Sequence, residues 1–140
     1  MIRPLLLLAL LAAAPVSAAA MHPTPDLTPP ALDADAATWA AFSENLVVAL
    51  QGENHGVRCS ALQLVVAYGA SVDVRGARFE VVRLFRDHPD ERVRMLALSA
   101  LAQMRDGWVS DFLERSARFE GDPHLAKLYR HAARASARLA

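Results

Sequence analysis

The chain has 140 residues, of which 54% are hydrophobic, and its 15 basic and 15 acidic side chains cancel. That balance excludes a chain-wide cationic surface for nucleic acid, and the apolar content excludes a disordered tail. A single cysteine, Cys59, excludes an internal disulfide framework.

Met1-Ile2-Arg3-Pro4 carries one positive charge, and Leu5–Ala14 is an unbroken apolar run of ten residues. Small residues follow in Pro15-Val16-Ser17-Ala18-Ala19-Ala20. This order matches the n-region, h-region and A-x-A site of a secretory signal, with cleavage expected after Ala18 or Ala20. The run is too short for the ~20 residues of a bilayer-spanning helix, so no stable membrane span is expected after cleavage. No twin arginine precedes the run, which favours the Sec route, and no cysteine stands at the cleavage site to carry lipid. The expected location is secreted or periplasmic. Removing residues 1–20 leaves about 120 residues, enough for one domain.

Residues 21–35 hold four of the eight prolines (Pro23, Pro25, Pro29 and Pro30). Prolines at that density deny both helix and strand, so a semi-extended linker is expected there. From Ala36 onward only Pro89 and Pro123 remain, each just before a helical pattern resumes, and the six glycines fall at pattern breaks. Residues 36–140 are therefore expected to be all-α. Six helices fit, over 36–51, 55–68, 74–87, 90–105, 107–119 and 123–138, joined by short connections that turn each helix back beside its predecessor.

The second, fourth and sixth helices repeat a stripe at i, i+3, i+4, i+7, i+8 and i+11. It runs Val57, Ser60, Ala61, Leu64, Val65, Tyr68, then Val93, Leu96, Ala97, Ala100, Leu101, Met104, then Leu125, Leu128, Tyr129, Ala132, Ala133, Ser136. The offsets are 36 and then 32 residues. The flanks repeat as well. Asn54, Asp90 and Asp122 each stand three residues before the first stripe residue, where a helix cap belongs, and Arg58 and Arg94 follow Val57 and Val93.

This pattern resembles the second helix of HEAT-type repeats, Asp-x-x-Val-Arg-x-x-Ala-x-x-Ala-Leu. Asp90, Val93, Arg94, Ala97, Ala100 and Leu101 match it in full; Val57, Arg58 and Ala61 match it with Asn54 in place of the acid. The third copy is degraded, with Ala126 for the arginine and Tyr129 for the alanine. The resemblance covers residues 36–140 and implies a short α-solenoid of three helix pairs. It also implies that Arg58 and Arg94 bond to acids and carbonyls of the inter-helix turns, with Asp87 and Asp90 the acids nearest Arg94. Three pairs are about the minimum for a stable stack. Facing surfaces are expected from Phe42, Leu46, Val47 and Leu50; from Ala77, Val81, Leu84 and Phe85; and from Trp108, Phe112 and Leu113. Phe79, Val82, Met95 and Leu98 should give the middle pair a second buried surface. With Leu96 in the core, its truncation to alanine should cost about 2–5 kcal/mol.

Chemistry is sparse. No two of the five histidines stand at the i, i+4 spacing of a paired metal site, so no metal or other cofactor is expected. His88 with Asp87 and Asp90 reads as a turn histidine capping a helix. Cys59 reads as a small, partly buried side chain, with an intermolecular disulfide or a reactive thiol as the alternatives. Neither Asp111 with Glu114 nor Asp90 with Glu91 has surroundings that raise a carboxyl pKa, so no catalytic residue is expected and the chain does not read as an enzyme. Residues 123–140 carry four positive charges and no acid, whereas residues 21–56 carry five acids and no base. The expected function is a non-catalytic scaffold or adaptor in the cell envelope. Its protein partner would meet the second-helix face at Arg58, Gln63, Arg94 and Lys127. An accessory or regulatory subunit of an envelope enzyme or sensor complex is the alternative.

Overall fold

The computed structural model describes residues 33–139. The leader and nearly all of the proline-rich linker lie outside them. Six α-helices follow in chain order: α1 Ala36–Gln51, α2 His55–Tyr68, α3 Arg78–Asp87, α4 Glu91–Gln103, α5 Gly107–Phe119 and α6 Pro123–Leu139. A single 3-10 turn, Arg75–Ala77, precedes α3, and no strand occurs among the described residues. The chain is all-α.

Short polar side chains start five of these six helices, while α3 follows Ala77 with no side-chain cap. Asp35, Asn54, Asp90, Asp106 and Asp122 each accept a hydrogen bond from a backbone N–H two or three residues on, at 2.7–3.1 Å. Each such bond satisfies a donor that the helix cannot use itself. The expected bounds hold closely except at α3, which begins at Arg78 and not at residue 74. Val72 and Val74 are both buried while Ser71, Asp73 and Arg75 are exposed, so the segment is pulled inward with the two-residue period of extended chain. Asp73 then accepts from the Arg75 N–H at 3.1 Å, and the chain tightens into the 3-10 turn.

Each odd helix packs against its successor: α1 on α2, α3 on α4, α5 on α6. The even helices also touch in sequence, α2 on α4 and α4 on α6, which leaves α4 between the other two. Leu50, Leu62, Val65, Val81, Leu101, Val109 and Leu113 fill the centre and are wholly buried. Aromatic rings close the two ends. Trp39, Phe42 and Tyr68 meet edge-on or tilted at 5.8–6.2 Å, and Phe85 contacts Phe112 and Tyr129 at 6.3 and 5.1 Å.

The expected stripes hold best where a helix has neighbours on both sides. In α4, Val93, Ala97, Ala100, Leu101 and Met104 are buried, while Leu96 is only half-buried. In α2 the buried set turns toward Ala61, Leu62 and Val65, leaving Val57 47% and Leu64 37% exposed. In α6, Ala126, Ala132, Ala133 and Ser136 are buried, but Leu128 is exposed. Phe79 and Trp108 also differ from expectation. They meet edge to face at 5.1 Å at the start of α3 and α5, and both remain exposed, with no further helix of the described residues over them.

Gly69, just after α2, does more than end a helix. A β-carbon there would lie 2.5 Å from the Cβ of Gln103, so the missing side chain sets how closely α2 approaches α4. Gly69→Ala is expected to destabilise by about 1–3 kcal/mol, the usual range for overpacking. Urea unfolding followed by circular dichroism measures it, and a neutral result would mean that the two helices are not held together at this point.

Candidate functional site

The four residues expected on a partner-binding face lie on even helices but do not share one environment. Gln63 on α2 and Lys127 on α6 are exposed, while Arg58 and Arg94 are half-buried. Arg94 reaches back to its own turn, where Nη1 donates to the carbonyls of His88 at 2.8 Å and Pro89 at 3.1 Å. Its partners are therefore carbonyls, and the ion pairs among the described residues leave Asp87 and Asp90 out. Arg58 fills the same slot one unit earlier without that anchorage, and its Nε is buried with no partner.

Between these arginines the N-terminal end of α2 meets the turn before α4. His55 and His88 stack with centroids 5.0 Å apart and planes 17° from parallel. Cys59, one turn beyond His55 on α2, holds Sγ 3.6 Å from His55 Nε2. His88 Nδ1 accepts the Asp90 N–H at 3.1 Å, so it holds the cap residue, while the cap of α4 itself is the Asp90 side chain, which accepts from the Arg92 N–H. The i, i+4 spacing of His55 and Cys59 was the available sequence signal for this cluster, and a search confined to pairs of histidines overlooks it. Among the described residues, no three His, Cys, Asp or Glu side chains are arranged to hold a metal ion.

Two of the depressions on the described residues gather charged and aromatic side chains. A 640 Å3 groove runs beside α1, with Trp39, Val72 and Met104 along it and Asp73, Arg75 and Arg105 among its polar lining. Its charges are internally satisfied: Asp73 pairs with Arg75, and Arg105 donates to the Ala70 carbonyl. The Arg75 guanidinium holds the Asp73 carboxyl below its ordinary value, against the opposing effect of burial. A second cleft of 290 Å3 lies between the ends of α3 and α5, lined by Phe85, Arg94, Phe119, Glu120 and Tyr129. Burial, with the Glu120 carboxylate beside it, pushes the Tyr129 hydroxyl up to about 12, so it stays a neutral donor at any physiological pH. The polar groups mainly fix turns and helix ends.

The outer surface of the even helices is more regular. Gln63 on α2, Ser99 on α4 and His131 on α6 stand at the two repeat offsets, and all three are exposed. Among the described residues, no helix is long and apolar enough to cross a membrane. Compared with protein-family models, curated proteins and solved structures, the chain matches none.

Proposed function

We propose that residues 36–140 form a short HEAT-like α-solenoid acting as a non-catalytic scaffold or adaptor, and that it holds a protein partner outside the cytoplasm. The observation that carries this reading is the succession α2, α4, α6, with Gln63, Ser99 and His131 exposed in register along it. Repeated units that each show one side to solvent build an extended face, and such faces suit a protein more than a small molecule. Equivalent burial 36 residues apart supports the repeat itself: Ala61 with Ala97, Leu62 with Leu98, Val65 with Leu101. Gln63 and Lys127 belong to the contact face, and Arg94 supports the turn behind it.

A photo-cross-linking residue placed at Ser99 in the expressing cell tests the face. A discrete adduct from Ser99, with none from Arg83 on the opposite layer, is the expected result. No adduct from either position, together with a small-molecule ligand that raises the melting temperature, would overturn it. Location has a separate readout. Protein recovered from the periplasm or the medium should begin at Ala19 or Met21, and a recovered N-terminus at Met1 contradicts secretion by cleavage.

A further inference from the structure

The 640 Å3 groove beside α1 does not stop at Trp39. A further depression of 460 Å3 shares Ala40, Ser43 and Asp73 with it and runs on to Val47 and Val48. The two form one strip along α1. Trp39 and Val47 are half-buried in it, and Val48 is 68% exposed at its far end. Its charges need no partner from elsewhere, because Asp73 pairs with Arg75.

The chain enters α1 beside this strip. Asp35 caps the helix with an extended backbone, at φ −71° and ψ 168°. Ala34 precedes the cap and Trp39 is the fourth residue of α1, and both are half-buried. Those are the two positions whose side chains pack together to fix the angle at which a chain meets its helix. The chain before Asp33 therefore leaves from beside Trp39, a residue of the groove. Next in that direction, outside the described residues, comes Leu27-Thr28-Pro29-Pro30-Ala31-Leu32, which carries no charge and has a leucine at each end.

We infer that residues 27–32 fold back antiparallel to α1 as a strap that fills this strip, with Leu32 beside Trp39 and Leu27 beside Val47. The reach is sufficient. Five steps of polyproline II helix cover about 16 Å. The eight helical steps from Trp39 to Val47 cover about 12 Å. Pro29 and Pro30 then cross Ala40 and Ser43, whose small side chains let the strap lie close. Proline brings a ring and no N–H, so no backbone donor is left unpaired against the apolar surface. A proline-rich segment is also extended before it docks and loses little freedom on an aromatic-lined groove. The occupant is this chain's own segment and not a second copy's. Tethered through Asp33, Ala34 and Asp35, it acts at an effective concentration of the order of millimolar, whereas a second copy must first associate. The strap lies on α1 and leaves the even helices free, so it stands apart from the partner-binding reading.

Paired cysteines in a Cys59→Ser background test the strap. Leu27→Cys with Val47→Cys should close a disulfide within one chain when oxidised in dilute solution. Leu27→Cys with Asn45→Cys should keep both thiols free, because Asn45 is exposed on α1 outside the strip. A second measurement needs no added cysteine. Trp39 and Trp108 are the two tryptophans, so acrylamide quenching in a Trp108→Phe variant reads Trp39 alone. Adding Leu27→Ser and Leu32→Ser should raise that quenching while the helical circular dichroism stays unchanged. Equal closure of both cysteine pairs overturns the inference, since the segment would then be a loose tether. Closure only between two chains overturns it as well, because the strap would then come from a second copy. So does the absence of any closure together with quenching of Trp39 that the serine substitutions leave unchanged.

Discussion

Leu101→Ala is expected to lower the stability of the protein by about 2–5 kcal/mol, the range for deleting a wholly buried leucine. Leu101 has no exposed surface and stands on α4, the helix that contacts α2, α3 and α6 together. Its neighbours belong to several rigid elements, so the cavity left by truncation cannot close through the shift of one helix, and the loss should fall in the upper half of that range. For a domain near 100 residues each kcal/mol shifts the midpoint by about 4–8 °C, so thermal unfolding reads the difference easily. Leu96→Ala serves as the comparison. Leu96 is half-buried on the flank toward α2, and its truncation should cost less than half as much. Equal losses at the two sites would mean that α4 is not enclosed as described.

That contrast between Leu96 and Leu101 marks what a single sequence reveals of this fold. Caps and helix bounds were legible because they are local: Asn54, Asp90 and Asp122 each act within three residues of themselves. Which side of an amphipathic helix is covered depends on neighbours distant in sequence. Val57 and Val93 look alike in the repeat, yet one is exposed and the other buried, because α4 lies between two helices of its row and α2, among the described residues, stands at the end of it. The resemblance to HEAT repeats led to the expectation that Arg94 would bond acids and carbonyls of its turn, and it bonds carbonyls without Asp87 or Asp90. The resemblance could not anticipate that Arg58, in the same slot, lacks a partner for its Nε, since that depends on the geometry of the preceding turn. The stacking of His55 on His88, 33 positions apart, likewise had no local signal.

The ion pair between Arg78 and Asp106 is another contact that spacing could not supply, and it leads to the second large effect. Asp106 is 8% exposed and uses both carboxylate oxygens: one accepts from the Trp108 N–H at 2.9 Å and caps α5, the other accepts from Arg78 Nη1 at 2.7 Å. The Arg78 guanidinium in turn lies over the Phe79 and Trp108 rings, at 5.0 and 5.6 Å. Nearby, the buried Ser136 hydroxyl donates to the Met104 and Asp106 carbonyls, so the same turn also anchors the last part of α6. One side chain thereby ties the start of α3 to the start of α5. Asp106→Ala removes a helix cap, worth about 0.5–2 kcal/mol, and a hydrogen bond to a charged group, worth about 1.5–3 kcal/mol, so a total of about 2–5 kcal/mol is expected. Asp106→Asn keeps an oxygen for the cap and loses the charge, and should cost about half as much.

The pH dependence separates the charge from the cap. Burial works against ionisation of Asp106, but the Arg78 guanidinium and the backbone N–H groups of Trp108 and Val109 outweigh it and hold the carboxyl below its ordinary value of 3.8. A carboxyl lowered on folding contributes stability that is complete above the unfolded-state value and is lost as pH falls through the folded-state value. The gap in stability between the native protein and Asp106→Asn should therefore be constant from neutral pH down to about 5, then narrow as the solution becomes more acid than 3.8. Asp35 and Asp73 are also held low, but both proteins contain them, so their contribution cancels in the difference. Urea midpoints measured at intervals between neutrality and pH 3 give the curve. A gap that persists unchanged into acid would mean that the Asp106→Asn substitution disturbs the cap rather than the charge, and that Arg78 is held chiefly by the two rings beneath it.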